Sequence, residues 1–175
     1  MLFIFNAVAV INLTLQKQEN TMSDDLHKYV CSFRKAIEDY AHTEKTYNHL
    51  LSYFPIGCCE CASELLQKFL YNEGIVTFLV RASFENNGQD EYHVWLETEA
   101  GIVIDITGDQ YRNKSEYLFY SKPIYVGKVD RFHLLFSIKT KEPPIEPSFD
   151  YRPKEIIEKM NRDYEGVLRH LSNCT

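Results

Sequence analysis

The sequence predicts an α+β domain: a cysteine-bearing helix packed on an antiparallel sheet or meander, flanked by N- and C-terminal amphipathic helices. Three observations carry this. Apolar residues recur at three- and four-residue spacing in stretches near the start, the middle and the end of the chain. Between the middle and final stretches the pattern changes to runs rich in β-branched and aromatic residues. Asn- and Gly-containing turns punctuate those runs.

The first helix is predicted over 24–41, where Leu26, Tyr29, Val30, Phe33, Ala36, Ile37 and Tyr40 line one face. Ser23 or Asp24 is placed to cap it, and the acidic first turn suits the helix dipole. A second, short helix is expected over 45–53. Phe54-Pro55 ends it, because the residue before proline is pushed out of helical space. After Gly57-Cys58-Cys59 a clear helix follows, with Ala62, Leu65, Leu66, Phe69 and Leu70 on one face and Gly74 at its C-terminal cap. Strands are predicted over 75–84, 91–97, 102–107, 123–128 and 131–138, with turns at Asn86-Asn87-Gly88 and Ala100-Gly101. Pro143, Pro144 and Pro147 mark a linker. A last amphipathic helix is predicted over 154–171 through Ile156, Ile157, Met160, Tyr164, Leu168 and Leu171.

A chain of 175 residues suits one domain with a well-packed core. Its aromatic content of 14% argues against disorder. The net charge of −6, with no Lys/Arg cluster, argues against nucleic acid or an anionic membrane surface as partner. Five cysteines are present: Cys31, Cys58, Cys59, Cys61 and Cys174. The number is odd, and the close spacing of three of them is poor for disulfides. The pattern reads as a reduced, cytoplasmic protein. Residues 1–21 are read as an apolar extension, an over-long start or a tag, before a single domain over 22–175. No Lys or Arg precedes Lys17, as a signal peptide would need, and Asn6, Asn12 and Thr14 interrupt the run as a membrane span. A short apolar strand or helix packed on the domain is the alternative.

The chemistry concentrates in 54–59 and 91–110. Side chains alternate along a strand, so His93 and Trp95 share one face while Val94 and Leu96 share the other. On the next strand Asp105 shares its face with Val103 and Thr107. A turn centred on Glu99 would set 93 opposite 105, within hydrogen-bonding range of an imidazole and a carboxylate. A cysteine nucleophile needs such a pair. The thiolate is the reactive species, and a helix N-terminus together with a neighbouring imidazolium favours it. Cys59 is offered the first by its own helix and the second by His93, with Asp105 fixing the tautomer. Gly57 allows the tight turn before the helix. The Cys59 amide is a natural oxyanion donor, with Tyr53 and Asn48 as weaker candidates for the second.

Phe54-Pro55-x-Gly57-x-Cys59 followed by Ser63, then His93-x-Trp95-Leu96, then Ile104-Asp105-Ile106-Thr107 followed by Gln110, resembles the transglutaminase-like (papain-like) cysteine-enzyme superfamily. The closer likeness is to bacterial and phage transglutaminase-like cysteine peptidase proteins. The resemblance covers roughly residues 50–112, and the order Cys, His, Asp matches. It implies a helix on an antiparallel sheet and thiol chemistry at an acyl or amide carbon. The implied catalytic residues are Cys59, His93 and Asp105, with Gly57, Tyr53, Asn48, Trp95 and Gln110 as oxyanion or supporting candidates. The implied reaction passes through a thioester on a peptide or protein substrate, without metal or other cofactor. A peptidase or amidase is the simplest version; a transglutaminase or deamidase acting on glutamine is the runner-up.

Each residue also has a plainer reading. The alternatives are Cys59 as an inert buried thiol, His93 as a satisfied core histidine, Asp105 as a turn cap, and Trp95 as packing. Ser63, Thr107 and Gln110 read as structural hydrogen bonders. Cys58, Cys59, Cys61 and His93 form a zinc set lacking a second well-spaced ligand pair. His133 is expected on a late strand, with no acidic residue following it at matching phase. A transglutaminase-like fold used as a binding module, its triad idle, is the non-catalytic alternative.

Overall fold

The structure, a computed structural model, describes residues 25–43, 50–86, 88–114, 118–144 and 146–172. The expectations for 1–21, for the Ser23 or Asp24 cap and for most of the short helix lie outside them. Among the described residues the order is α1 (25–43), α2 (Cys59–Asn72), β1 (Thr77–Asn86), β2 (Gln89–Thr98), β3 (Ile102–Asp105), β4 (Tyr125–Lys128), β5 (Ser137–Glu142) and α3 (Lys154–Ser172). No helix among them is long and apolar enough to cross a membrane.

The apolar stripe of α1 is buried as its spacing predicts: Leu26, Val30, Phe33, Ala36, Ile37 and Tyr40 all face inward. In α2 the buried face is Ala62, Leu65, Leu66, Phe69 and Leu70. Gly74 ends α2 at φ +79°. The Gly74 amide bonds the Tyr71 carbonyl at 3.0 Å, and the Ile75 amide bonds Leu70 at 2.8 Å, a Schellman closure. That closure uses Ile75, so β1 starts at Thr77 instead of at 75 as predicted. Residues 50–57 form successive turns, not the end of a helix. The Phe54 amide bonds Leu51, Ile56 bonds Tyr53 and Cys58 bonds Pro55, each three residues back. Pro55 has no amide with which to continue a helical ladder.

The sheet order is β4-β3-β2-β1-β5, antiparallel at every pairing. β1 to β4 form a meander, but β5 leaves it and returns to the far side of β1. The strand predicted over 131–138 is corrected. Residues 131–136 form a turn and a short 3-10 helix, His133–Leu135, and the strand begins at Ser137. Phe132 and Phe136 are both buried, a helical-turn spacing and not the alternation of a strand. β5 is exposed along its whole length, and Lys139 and Lys141 guard it as an edge.

Each face of the sheet carries a core. Leu79, Val94, Leu96, Ile104 and Ile106 pack under the three helices. Val80, Ala82, Trp95 and Val103 pack on the other face beneath Tyr111, Leu118, Tyr120, Phe132 and Phe136. A buried ion pair pins α1 to the segment after β3. Arg34 donates Nη1 and Nη2 to the Asp109 carboxylate at 2.9 and 3.0 Å, and Nη1 also reaches the carbonyls of Ile106 and Pro123.

Candidate active site

Cys59 is the first residue of α2, with Cys58 at the cap position. Gly57 turns the chain into the helix at φ +66°, a conformation L side chains rarely adopt. The neighbouring thiols face elsewhere. Cys58 Sγ lies 3.4 Å from the Ile56 carbonyl and 3.5 Å from that of Leu50, and Cys61 Sγ lies 3.3 Å from the Cys58 carbonyl. Cys58 and Cys61 also hydrogen-bond each other. That contact holds the Cys58 thiol below its usual range, and the same contact with burial pushes Cys61 well above it. The cysteine cluster is therefore divided, and Cys59 is the thiol within hydrogen-bonding reach of His93.

His93 and Asp105 meet, but not as direct cross-strand partners. Leu96 pairs with Ile104 and Glu97 with Val103, so the turn centres on Ala100, not Glu99. The register differs from the predicted one by two residues. A two-residue shift preserves the faces, because side chains alternate with period two. His93 therefore reaches Asp105 diagonally, Nε2 to Oδ2 at 2.8 Å, with both side chains buried. β3 ends at Asp105, two residues short of the predicted strand. The cause is local: Asp105 Oδ1 accepts the Thr107 amide at 2.8 Å and its hydroxyl at 3.3 Å, bending the chain into the 3-10 turn Gly108–Tyr111.

The His93 ring is walled by Trp95, Tyr111, Phe132 and Phe136, with centroids 5.3 to 5.7 Å away. Burial disfavours its charge. The Asp105 charge and hydrogen bond, then the contact with Cys59, outweigh burial and raise the imidazole to about 9. Burial likewise opposes ionisation of Asp105. The His93 charge and the hydrogen bonds from His133 and His93 prevail and hold its carboxyl below the usual range. Since an ionised Asp105 only accepts, His93 donates from Nε2 and turns its Nδ1 edge toward Gln110.

Gln110 ties the two halves together. Its Nε2 lies 3.0 Å from His93 Nδ1, and its Oε1 accepts the Gly57 amide at 3.3 Å. Tyr111 donates its hydroxyl to the Tyr92 carbonyl at 2.8 Å beside the imidazole. Ser63 Oγ donates to the Val94 carbonyl at 3.1 Å, fixing α2 against β2. The other supporting candidates do not converge. The Tyr53 side chain is 70% exposed, and Trp95 is buried as packing, its Nε1 without a hydrogen-bond partner among the described residues. Asn48 lies outside the described residues. A groove of about 820 Å³, bordered by Arg34, Glu38, His42, Phe54, Ile56 and Gln110, runs beside the turn that leads to Cys59.

Two features were not read from the sequence. Gly108 lies so close to Asp105 that an added Cβ would stand 2.8 Å from Oδ2 and 2.7 Å from the Tyr120 ring. His133 is buried, with Nε2 3.2 Å from Asp105 Oδ2 and Nδ1 2.7 Å from Asp130 Oδ1. His133 stands on a short 3-10 turn and not on the expected strand, and both of its acidic partners precede it in the chain. The signal was the Asp130-x-x-His133 spacing, in which an aspartate caps its own turn. His93, Asp105 and His133 bring their donor atoms within 4.8 Å of one another, a spacing a metal ion can use. The separations of 2.8 and 3.2 Å to one carboxylate oxygen are hydrogen-bond lengths. Set against family models, curated proteins and solved structures, the chain matches none.

Proposed function

We propose that the protein is a cysteine-dependent hydrolase or acyltransferase of the transglutaminase-like kind, acting on a peptide, amide or glutamine side-chain bond. One observation carries this reading. His93 donates Nε2 to a buried carboxylate 2.8 Å away and interacts with the thiol of Cys59, which opens a helix. Cys59 attacks the carbonyl carbon as the thiolate, and the charged His93 gives its Nδ1 proton to the leaving amine. The thioester is then opened by water, giving a hydrolase, or by an amine, giving a transferase. Asp105 keeps the ring oriented and stabilises its charge. The Cys59 amide stands in the first turn of α2, where helix donors lack an internal partner, and serves the oxyanion. Gln110 Nε2 is the second donor: once His93 Nδ1 carries a proton the amide no longer finds an acceptor there. The groove beside Phe54 and Ile56 is the entry for the acyl chain.

A specific observation favours the idle-module reading. The His93 ring has no exposure, and Gln110 occupies the edge from which it would act. The deciding measurement is iodoacetamide alkylation of Cys59 against pH, located by fragmentation mass spectrometry, in the wild type and in His93→Ala. Catalysis predicts reaction well below pH 8 that the variant loses. A Cys59 that reacts like Cys58 and Cys61, with or without His93, leaves the binding module as the reading.

A further inference from the structure

We propose that His133 is a positioning residue for the candidate triad, a cation clamped between Asp105 and Asp130 that fixes the Asp105 carboxylate for His93. This rests on the triad reading above. The hydrogen-bond count requires it. Asp130 Oδ1 already accepts the amides of Phe132 at 3.1 Å and His133 at 3.2 Å, so its 2.7 Å contact with His133 Nδ1 needs a donor there. Asp130 is held below the usual carboxylate range: burial opposes this, but the hydrogen bonds from His133 outweigh it. Asp105 Oδ2 faces His93 Nε2 at 2.8 Å and His133 Nε2 at 3.2 Å, and a carboxylate only accepts. Both ring nitrogens of His133 therefore donate, which only the imidazolium does.

The electrostatics agree. A buried carboxylate without a cation is costly. When His93 gives up its proton during the reaction, Asp105 would stand alone in a sealed aromatic pocket, and His133 supplies the missing charge. The other groups around His133 serve the outer end of the line. Tyr120 donates its hydroxyl to Asp130 Oδ2 at 2.9 Å, Lys122 Nζ lies 3.6 Å from the same oxygen, and the Tyr125 ring covers the imidazole at 5.3 Å. Trp95 closes the near side edge-on at 5.1 Å. The line runs Asp130, His133, Asp105, His93, with every link at a hydrogen-bond distance given above, and ends on Cys59, whose interaction with His93 helps to raise the imidazole.

Two amide variants divide the roles. His133→Gln restores a donor where Nε2 stood, toward Asp105, and His133→Asn restores one where Nδ1 stood, toward Asp130. The expected result is a partial loss of Cys59 alkylation in His133→Gln, which keeps the hydrogen bond to Asp105 but not the charge, and a larger loss of about tenfold in His133→Asn, which keeps neither toward Asp105. Thermal unfolding shows whether both fold, and their comparison at similar stability removes a merely structural effect. Equal rates in the two variants would overturn the proposal. Nitrogen-15 NMR of His133 in the wild-type protein provides a readout independent of Cys59. Protons on both ring nitrogens at neutral pH are expected, and a single protonated nitrogen would overturn the clamp even if the triad is active. Tight uptake of one equivalent of zinc by the wild type, lost in His133→Gln, would also overturn it, since an ion would then replace both protons. Failure of the triad alone shows differently: Cys59 unresponsive to His93→Ala, with His133 still doubly protonated.

Discussion

Asp105 divides its work between two oxygens. Oδ1 bends its own chain through Thr107, and Oδ2 collects the two imidazoles. Gly108 makes this arrangement fit, because a Cβ there would press on Oδ2 and on Tyr120. Gly108→Ala is expected to cost about 1–3 kcal/mol, the usual range for overpacking, and to displace the carboxylate. Gly166→Ala is the control. Its Cβ would stand 2.3 Å from the Tyr40 ring, where α3 meets α1. Comparable destabilisation of both, with slowed Cys59 alkylation in Gly108→Ala alone, is the expected outcome. At this scale Cys59, His93 and Asp105 were legible because strand parity and a Gly-x-Cys turn are local properties. Gly108 and His133 were not, since their roles come from close approach across the fold.

Among the elements, α1 reads from its apolar stripe, but its anchorage does not. Arg34 sits on that helix as one basic residue among several. Only the fold buries it against Asp109, 75 positions away, with the Phe54 ring 4.9 Å from its guanidinium. Removing one partner of a buried pair leaves the other charge uncompensated. Arg34→Met is expected to lower the unfolding free energy by about 3 kcal/mol, at the low end of the usual range because Arg112 still reaches Asp109 at 2.6 Å. The double variant Arg34→Met/Asp109→Leu should lose less than the single one. Urea denaturation of the two measures this. The hairpin carrying His93 shows what pattern reading reaches at this level. Alternation gave the correct faces, while the turn at Ala100-Gly101 set the register two residues away from the predicted pairing. The strand expected over 131–138 failed because aromatic residues at a four-residue spacing bury equally well from a turn.

For the molecule as a whole, the sheet keeps two cores apart, and the candidate site lies where α2, β2 and the segment covering the second core meet. Its charges connect folding to pH. His93 is raised from 6.5 to about 9, so its charged form contributes stability in full below pH 6.5 and loses it as pH rises through about 9. Asp105 is lowered from 3.8, so its contribution is present above that value and lost as pH falls through the depressed one. The wild-type thermal midpoint is expected to fall between pH 6.5 and 9.5. Asp105→Asn, which removes the partner that holds the His93 imidazolium, should fall less over that window. A midpoint that falls equally in both proteins would place the titration elsewhere. Another buried carboxylate ties α2 to the sheet and to the segment before α3: Glu64 accepts from Arg81 of β1 at 3.1 Å and from Tyr151 at 2.6 Å, and pairs with Arg152.

By itself the sequence determined the α+β class, the faces of α1, α2 and α3, the turns at Gly74, Gly88 and Gly101, and the common face of His93 and Asp105. All of these follow from spacing within a few residues, which backbone geometry converts directly into direction. Tertiary structure alone decided that β5 pairs with β1, that residues 131–136 become a turn, that Arg34 is buried, and that His133 joins Asp105. These depend on which distant segments compete for the same buried surface, and local propensity does not encode that competition.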